Sequence, residues 1–290
     1  MKKKTSVILI VAAIMIVSLT ACFAGCGDTS KEGGLTSASI DQIKASGELV
    51  VATSANFPPF EYKEGSKFVG WDMEIAQYFA DKLGVELYII DSDFEGVLSG
   101  TATGKAHIGM AGISKNPIRD ETLDFSDDVF DSSQMIIIRK GDTRIQNAFD
   151  LEGMIVGAQS ATVGYDLAKM DDAWAYKLDE NGNAILDQPI LGAPATARPY
   201  PTGAEAILNL INNNVDAVIL DKYPAATICA MYPDQVEILE KPIFEDHYAF
   251  AVAEGNTELA NWINDTIAEM KENGEWKRIT EKYFGSTDQE

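Results

Sequence analysis

The chain is poor in cysteine and histidine, with three cysteines and two histidines in 290 residues. Cys22 and Cys26 lie near the N-terminus, so a disulfide that includes Cys229 would need one of them. Stability must therefore come from buried apolar surface rather than from cross-links. His107 and His247 have no close pair of metal-type ligands around them. We interpret both histidines as structural and predict neither a metal nor a cofactor.

Basic residues are also few: 23 Lys and Arg stand against 45 Asp and Glu, for a formal net charge of −22. A chain this acidic repels a phosphate backbone, which excludes nucleic acid as a partner. The part beyond the N-terminal segment, about 250 residues, suffices for one large or two ordinary α/β domains.

The N-terminus carries an apolar run, Val7 to Leu19, that is too short to span a membrane. Three lysines precede this run, and the pattern is typical of a signal peptide, here residues 1–21. The sequence Leu19-Thr20-Ala21-Cys22 resembles a bacterial lipobox and predicts lipid attachment at Cys22. Cys26 is a second candidate, and ordinary secretory cleavage is the alternative. Residues 22–39 would then form a flexible tether that leaves the body just outside the membrane.

Apolar runs and helix signals alternate along the body and predict an α/β fold. The first set has a helix from Ile40, a second helix with Asp72 as its N-cap, a short helix from Val97, and the strands Glu48–Thr53, Val85–Ile90 and His107–Ile113. The strand Gln134–Arg139 can leave this lobe for another. A second set follows, with the strands Met154–Ala158 and Val215–Leu220, a helix from Tyr165, and a capping box of Thr202 with Glu205. The strand Phe244–Val252 returns the chain, and helices from Leu259 close it.

The predicted lobes are 40–138 plus 245–290 for lobe 1 and 139–244 for lobe 2. The segment Lys169–Pro201, rich in Asp, Gly and Pro, is interpreted as an insertion in lobe 2.

Polar residues at the ends of predicted strands indicate a binding site in lobe 1. Ser114 follows a glycine-containing strand, and Arg119 comes five residues later. A hydroxyl, exposed amides and a planar guanidinium are suited to hold a carboxylate. The alternative is that Arg119 pairs with a surface acid such as Asp120 or Asp124.

Two aromatic residues are predicted at the same sheet edge, where open α/β sheets bind ligands. Phe57 lies in a Pro-rich loop after the first strand, and Phe94 lies in the loop after the second. Phe57 could equally belong to the core of the lobe.

The loop Gln159–Gly164, which precedes a predicted helix in lobe 2, is a candidate anion site or a plain helix cap. Asp221 ends a buried strand, where it could hold an ammonium group or cap the helix that contains Pro224.

These segments resemble the polar amino acid family of extracellular solute-binding proteins, bacterial family 3, which serve ABC importers. The resemblance covers nearly all of residues 43–285. It rests on Phe57-Pro58-Pro59-Phe60-Glu61, Gly70-Trp71-Asp72, Asp93-Phe94-Glu95-Gly96, Gly112-Ile113-Ser114 through Arg119, Asp124-Phe125-Ser126, Val215 to Val218 with Asp221, and Gly274 to Phe284.

The resemblance implies two Rossmann-like lobes joined by two hinge strands, the type II periplasmic binding protein fold. It also implies a lipoprotein monomer that binds a free amino acid and passes it to an ABC permease with its ATPase subunits. Its site residues carry over to Arg119, Ser114 and the amides of Thr162 and Val163 for the α-carboxylate. Asp221 and the carbonyl of Gly112 would bind the α-ammonium, and Phe57 and Phe94 would flank the side chain.

Two positions depart from the family pattern. Ala161 stands where the family usually has glycine, and His107 stands where it usually has aspartate.

Enzymes on the same scaffold are the alternative class, for example a cyclohexadienyl dehydratase or a lytic transglycosylase. Such enzymes need a general acid or base with a tuned pKa. Asp93, Glu95 and His107 are candidates, but the sequence identifies no partner for any of them. A sensory input domain would need a transmembrane helix after Phe284, and none is predicted. We therefore predict a binding protein rather than an enzyme.

Overall fold

The computed structural model describes residues 38–171, 174–178 and 184–286. The predicted signal peptide, Cys22, Cys26 and almost all of the tether lie outside the described residues. The described residues all belong to one compact unit of the chain. None of the helices within them is both long enough and apolar enough to cross a bilayer.

The first part of the described chain is a βαβαβ set. Its elements are α1 (Ile40–Ser46), β1 (Glu48–Thr53), β2 (Asn56–Phe57), β3 (Glu61–Glu64), β4 (Lys67–Val69), α2 (Trp71–Leu83), β5 (Glu86–Asp91), α3 (Phe94–Ala102) and β6 (Ile108–Ser114). Strand β1 lies between β5 and β6 and is parallel to both. Strands β2, β3 and β4 form a separate small antiparallel sheet.

A second set repeats this construction. After β7 (Leu123–Phe125) and β8 (Phe130–Arg139) come β9 (Ile155–Gln159), α4 (Val163–Ala168), β10 (Tyr176–Leu178), β11 (Ala184–Pro189), β12 (Thr196–Tyr200), α5 (Gly203–Ile211), β13 (Ala217–Asp221), α6 (Lys222–Cys229) and β14 (Val236–Ile238). Strand β9 lies between β12 and β13 and is parallel to both. The order second-first-third strand is therefore the same in both sets. Strands β10 and β11, within the predicted insertion, pair only with each other in the described part of the chain.

Two long strands connect the sets. Strand β15 (Phe244–Ala253) precedes the closing helices α7 (Thr257–Asn273) and α8 (Glu275–Phe284). Residues Phe130–Gln134 of β8 pair with Phe244–Tyr248 of β15. Beyond this stretch β8 pairs with β13 of the second set, and β15 pairs with β6 of the first. The predicted fold of two α/β lobes joined by two hinge strands is thus confirmed.

The predicted capping role of Asp72 is wrong. Helix α2 begins at Trp71, and its N-cap is Gly70 at φ 130°. A Cβ atom at Gly70 would lie 2.1 Å from the carbonyl oxygen of Phe60, so only glycine fits there. Asp72 lies one residue inside the helix and is 2% exposed, with its carboxyl group in the interior.

Other element boundaries also differ from the sequence prediction. Helix α3 begins at Phe94 rather than Val97, because the Asp93 side chain caps it by accepting a hydrogen bond from the Gly96 amide at 2.7 Å. Helix α4 begins at Val163 rather than Tyr165, with Thr162 as its N-cap. Strand β8 begins before the predicted Gln134, because its first residues pair across the hinge.

An aromatic cluster packs behind the hinge. Phe130 of β8 lies 4.5 Å from Phe284 of α8 and 5.3 Å from Trp71 of α2, measured between ring centroids. Phe284 also lies 5.1 Å from Tyr223 of the second lobe. The Trp71 indole donates a hydrogen bond to Thr280 at 3.0 Å. Full burial of a large ring contributes about 1.5–3 kcal/mol, so these contacts of α8 help to stabilise the core behind the hinge.

Candidate functional site

The carboxyl ends of the central strands of both lobes meet around one cavity. This is the edge at which open α/β sheets bind ligands. The structure brings all eight predicted site residues to this cavity, together with Ser54, Glu61, Ala111 and Gln159; the eight are Phe57, Phe94, Gly112, Ser114, Arg119, Thr162, Val163 and Asp221.

Arg119 is buried between the lobes. Its amide is held by the Asn116 side chain at 2.6 Å, which fixes the turn after β6. Its guanidinium donates to the carbonyl of Ser114 at 2.5 Å and, across the cleft, to the carbonyl of Ala161 at 3.0 Å. The guanidinium also stacks over the ring of Phe94, at 5.3 Å from the centroid. Since a guanidinium has five N–H donors, enough remain for a carboxylate.

The alternative interpretation of Arg119, a surface ion pair, does not describe this structure. Arg119 is 7% exposed, and neither Asp120 nor Asp124 pairs with it in the described part of the chain. Asp124 instead accepts a hydrogen bond from the Gly255 amide at 2.9 Å. Burial lowers the pKa of Arg119, but an arginine stays charged in proteins.

Asp221 faces the cavity from lobe 2 as part of a buried polar network. It accepts hydrogen bonds from the Tyr248 hydroxyl and the Gln134 amide, both at 2.6 Å. The same Gln134 amide donates to Asp246 at 3.1 Å, and the Ser114 hydroxyl donates to Asp246 at 2.9 Å. Burial and then the nearby Asp246 raise the pKa of Asp221 to about 7. Asp221 is also the N-cap residue of α6, as the alternative held, but its side chain makes no cap hydrogen bond to that helix.

Gln134 and Asp246 are functional-site neighbours that the sequence reasoning missed. Both lie on the hinge strands, and both are buried. In β15 exposed and buried residues alternate from Glu245 to Tyr248, which places Asp246 on the same face as Tyr248. That alternation was a usable signal, because a carboxylate on the buried face of a strand needs a partner.

Glu61 is a further residue that the prediction missed, and it lies at the site itself. It is fully buried and lines the cavity. Its carboxyl group lies close enough to that of Asp72 for the two acids to interact electrostatically. Burial and then the nearby Asp72 raise the pKa of Glu61, and burial raises the pKa of Asp72 to about 7.

Gly112 permits the close approach of an aromatic ring. Its φ is +56°, and a Cβ atom there would lie 2.7 Å from the ring of Phe57. Phe57 is 7% exposed and stacks on Phe60 at 5.8 Å, so it belongs both to the lobe core and to the cavity wall. The two interpretations of Phe57 are therefore compatible.

The loop of lobe 2 has a backbone that favours glycine. Ala161 has φ +62°, in the left-handed region that glycine adopts most easily. Its neighbour Thr162 caps α4, with its hydroxyl accepting from the Tyr165 amide at 3.4 Å. The plain-cap interpretation of this loop is therefore correct for the Thr162 side chain, while Thr162 and Val163 also line the cavity.

The structural interpretation of His107 is confirmed. Its Nδ1 accepts a hydrogen bond from the Val50 amide at 3.0 Å, and burial lowers its pKa. His247 is exposed, and its Nδ1 lies 2.7 Å from a carboxylate oxygen of Asp131.

Two like lobes, two hinge strands and a polar cavity between them define a bilobal binding protein of the type II periplasmic fold. Residues 49–286 match the model of the bacterial extracellular solute-binding proteins, family 3. The chain belongs to this family, which implies an exported protein.

Among relatives, the arginine-binding extracellular protein ArtP of Bacillus subtilis (strain 168) is 27% identical over 97% of this chain and 98% of its own. The L-cystine-binding protein TcyJ of Escherichia coli (strain K12) is 25% identical over 85% of this chain and 86% of its own. The structure of an ancestral arginine-binding protein bound to arginine covers 82% of this chain and 99% of its own, with 32% identity and a TM-score of 0.71. The structure of the ancestral amino acid-binding protein AncCDT-1, a precursor of cyclohexadienyl dehydratase, covers 84% of this chain and 99% of its own. It has 27% identity and a TM-score of 0.71.

Proposed function

We propose that the protein is the substrate-binding lipoprotein of an amino acid ABC importer. In this proposal it captures a free L-amino acid between its lobes and delivers it to the membrane permease. One observation carries the proposal: Arg119 of lobe 1 and Asp221 of lobe 2 line the same cavity. These opposite charges match the two charges that every free amino acid carries.

The other cavity residues have roles that follow from this orientation. Arg119 and Ser114 bind the α-carboxylate, with help from the amides of Thr162 and Val163. Asp221 and the Gly112 carbonyl bind the α-ammonium. Phe57 and Phe94 flank the ligand side chain. Because the two charged partners belong to different lobes, the ligand favours the closed arrangement through its differential affinity for it.

The lobe division is part of the proposal: lobe 1 comprises 40–138 and 245–290, and lobe 2 comprises 139–244. The boundary at 244/245 falls at the start of the hinge stretch of β15, which supports it, and the boundary at 138/139 falls at the end of β8, four residues beyond its hinge stretch. The protein acts as a monomer, and its partners are the permease with its ATPase subunits.

An enzyme is the alternative, because buried carboxyls with a raised pKa such as Asp221 are also found in catalytic sites. The catalytic candidates from the sequence do not support it. Asp93 caps a helix, Glu95 is exposed, and His107 accepts a backbone hydrogen bond. The named relatives are binding proteins.

A ligand screen separates the receptor from the enzyme. We expect a thermal-shift screen of the twenty amino acids, cystine and ornithine to find stabilising ligands, since a ligand at a hundred times its Kd stabilises by about 2.7 kcal/mol. We also expect a smaller radius of gyration on binding by small-angle scattering. Mass spectrometry after long incubation should recover the ligand unchanged, and chemical conversion of the ligand would overturn the proposal.

Lipid attachment at Cys22 anchors the protein to the outer face of the cytoplasmic membrane in this proposal. We expect Cys22→Ser to release the protein from membranes or to stall its processing. Cys26→Ser is the matched control and should leave the protein in the membrane fraction. Fractionation followed by mass measurement of the N-terminal peptide tests this, and the reverse pattern would move the attachment site to Cys26.

A further inference from the structure

Three ionisable side chains line the cavity among the described residues: Arg119, Asp221 and Glu61. On the proposed function, the α-carboxylate of a ligand satisfies Arg119 and its α-ammonium satisfies Asp221. Glu61 then has no counter-charge from an uncharged ligand side chain. A buried carboxylate is stable only with a proton or an opposite charge.

The protein itself supplies no such charge to Glu61. Neither of its oxygens accepts a hydrogen bond from a donor group in the described part of the chain. The charged groups that act on it are Asp72 and Asp221, and both are acids. One oxygen of Asp72 likewise lacks a donor within the described residues. Glu61 on the cavity wall and its neighbour Asp72 thus form an acidic pair that no cation of the described residues neutralises.

The position of Glu61 places this pair beside the proposed side-chain pocket. Glu61 of β3 is the direct cross-strand neighbour of Phe57 of β2, one of the two aromatic walls. A carboxyl group next to an aromatic face suits a cationic group, which is attracted to both. The same surroundings disfavour a distal carboxylate, because like charges would meet in a buried site.

We propose that Glu61, backed by Asp72, determines specificity by binding the distal cation of a dibasic amino acid, of the class of L-arginine, L-lysine and L-ornithine. This inference rests on the proposed function and names its substrate class. The distal cation replaces the proton that the Glu61–Asp72 pair needs in its absence. Binding of a neutral side chain leaves that pair unchanged.

Matched ligands test this inference directly. L-citrulline has the length and planar end of L-arginine without its charge. In calorimetric titrations of the wild type, we expect the best ligand among L-arginine, L-lysine and L-ornithine to bind at least about tenfold more tightly than L-citrulline and L-glutamine. The reason is that a charge-assisted bond contributes about 1.5–3 kcal/mol. L-Cystine, whose distal end includes a carboxylate, should bind more weakly than the best basic amino acid.

Variants of Glu61 test whether this side chain causes the preference for basic over neutral ligands. Glu61→Gln should reduce the ratio of basic to neutral ligand affinities to within about threefold. The control Glu64→Gln changes an exposed residue of the same strand and should keep the wild-type ratio. Ligand-free melting curves verify that both variants fold.

The outcomes separate this inference from the proposed function. A wild type that prefers citrulline, glutamine or cystine would overturn the inference and leave the receptor function intact. An unchanged ratio in Glu61→Gln would do the same. A wild type that binds no amino acid at all would overturn the proposed function, and the inference with it.

Discussion

Replacing Arg119 with lysine is expected to weaken binding of every amino acid that the protein accepts by at least about tenfold. The guanidinium is held between the Ser114 and Ala161 carbonyls, so its remaining N–H groups point in fixed directions. Lysine keeps the charge but cannot reproduce the planar fork that meets a carboxylate with two bonds. Each such bond contributes about 1.5–3 kcal/mol, so loss of both would weaken binding on the order of a hundredfold or more.

Isothermal titration with several ligands measures this effect. Because the α-carboxylate is common to all amino acids, the loss should be similar for each of them. Arg278→Lys, at a half-exposed arginine of α8 that pairs with Glu275, is the control and should bind normally. A loss below about tenfold for Arg119→Lys would show that the guanidinium does not bind the ligand carboxylate with two bonds.

Replacing Asp221 with asparagine should weaken amino acid binding by about thirtyfold or more. The α-ammonium would lose its counter-ion in a buried site, where such a loss costs about 2 kcal/mol or more. Asp234→Asn, at an exposed acid of lobe 2, is the matched control. Compaction measured by small-angle scattering should persist in the control and disappear in Asp221→Asn at the same ligand concentration. Wild-type affinity in Asp221→Asn would contradict the assigned role.

Asp221 also predicts how binding and stability change with pH. Its pKa is raised to about 7, so an ammonium must displace a proton below that pH, and affinity should fall as pH drops from about 7 to 5. Stability without ligand follows the opposite trend. The folded protein holds this proton more tightly than the unfolded chain, so stability contributed by Asp221 is present near pH 4 and is lost as pH rises to about 7. Both trends should flatten in Asp221→Asn, by calorimetry for binding and by melting temperature for stability.

The sequence predicted the parts of the site that depend on strand ends. Ser114 and Asp221 each end a buried strand, and such ends meet at one edge of a parallel sheet, so their placement follows from local pattern. Arg119 and the loop before α4 follow for the same reason. Glu61 did not follow, because its burial arises where α2 packs on the turn at Phe60, and no local pattern records that contact.

Helix and strand boundaries show the same distinction. Gly47 and Gly84 end their helices in the left-handed conformation, as a glycine after an apolar stripe predicts. The Gly70 cap was missed, because it is set by the nearby Phe60 carbonyl and not by its own neighbours in sequence. Tertiary packing thus decided the Gly70 cap and the burial of Glu61, whereas the missed start of α3 depends on the local Asp93 cap.

The aromatic cluster behind the hinge bears on when this chain can fold. Trp71 finds its hydrogen-bond partner in Thr280, 209 residues later, and its ring packs on Trp276 at 5.0 Å. The core of the lobe that is synthesised first is therefore incomplete until the last described helix has been made. Contacts this distant in sequence form slowly, since the intervening chain must be ordered before they stabilise anything. The packing of this lobe is therefore completed only after nearly all of the described chain has been synthesised.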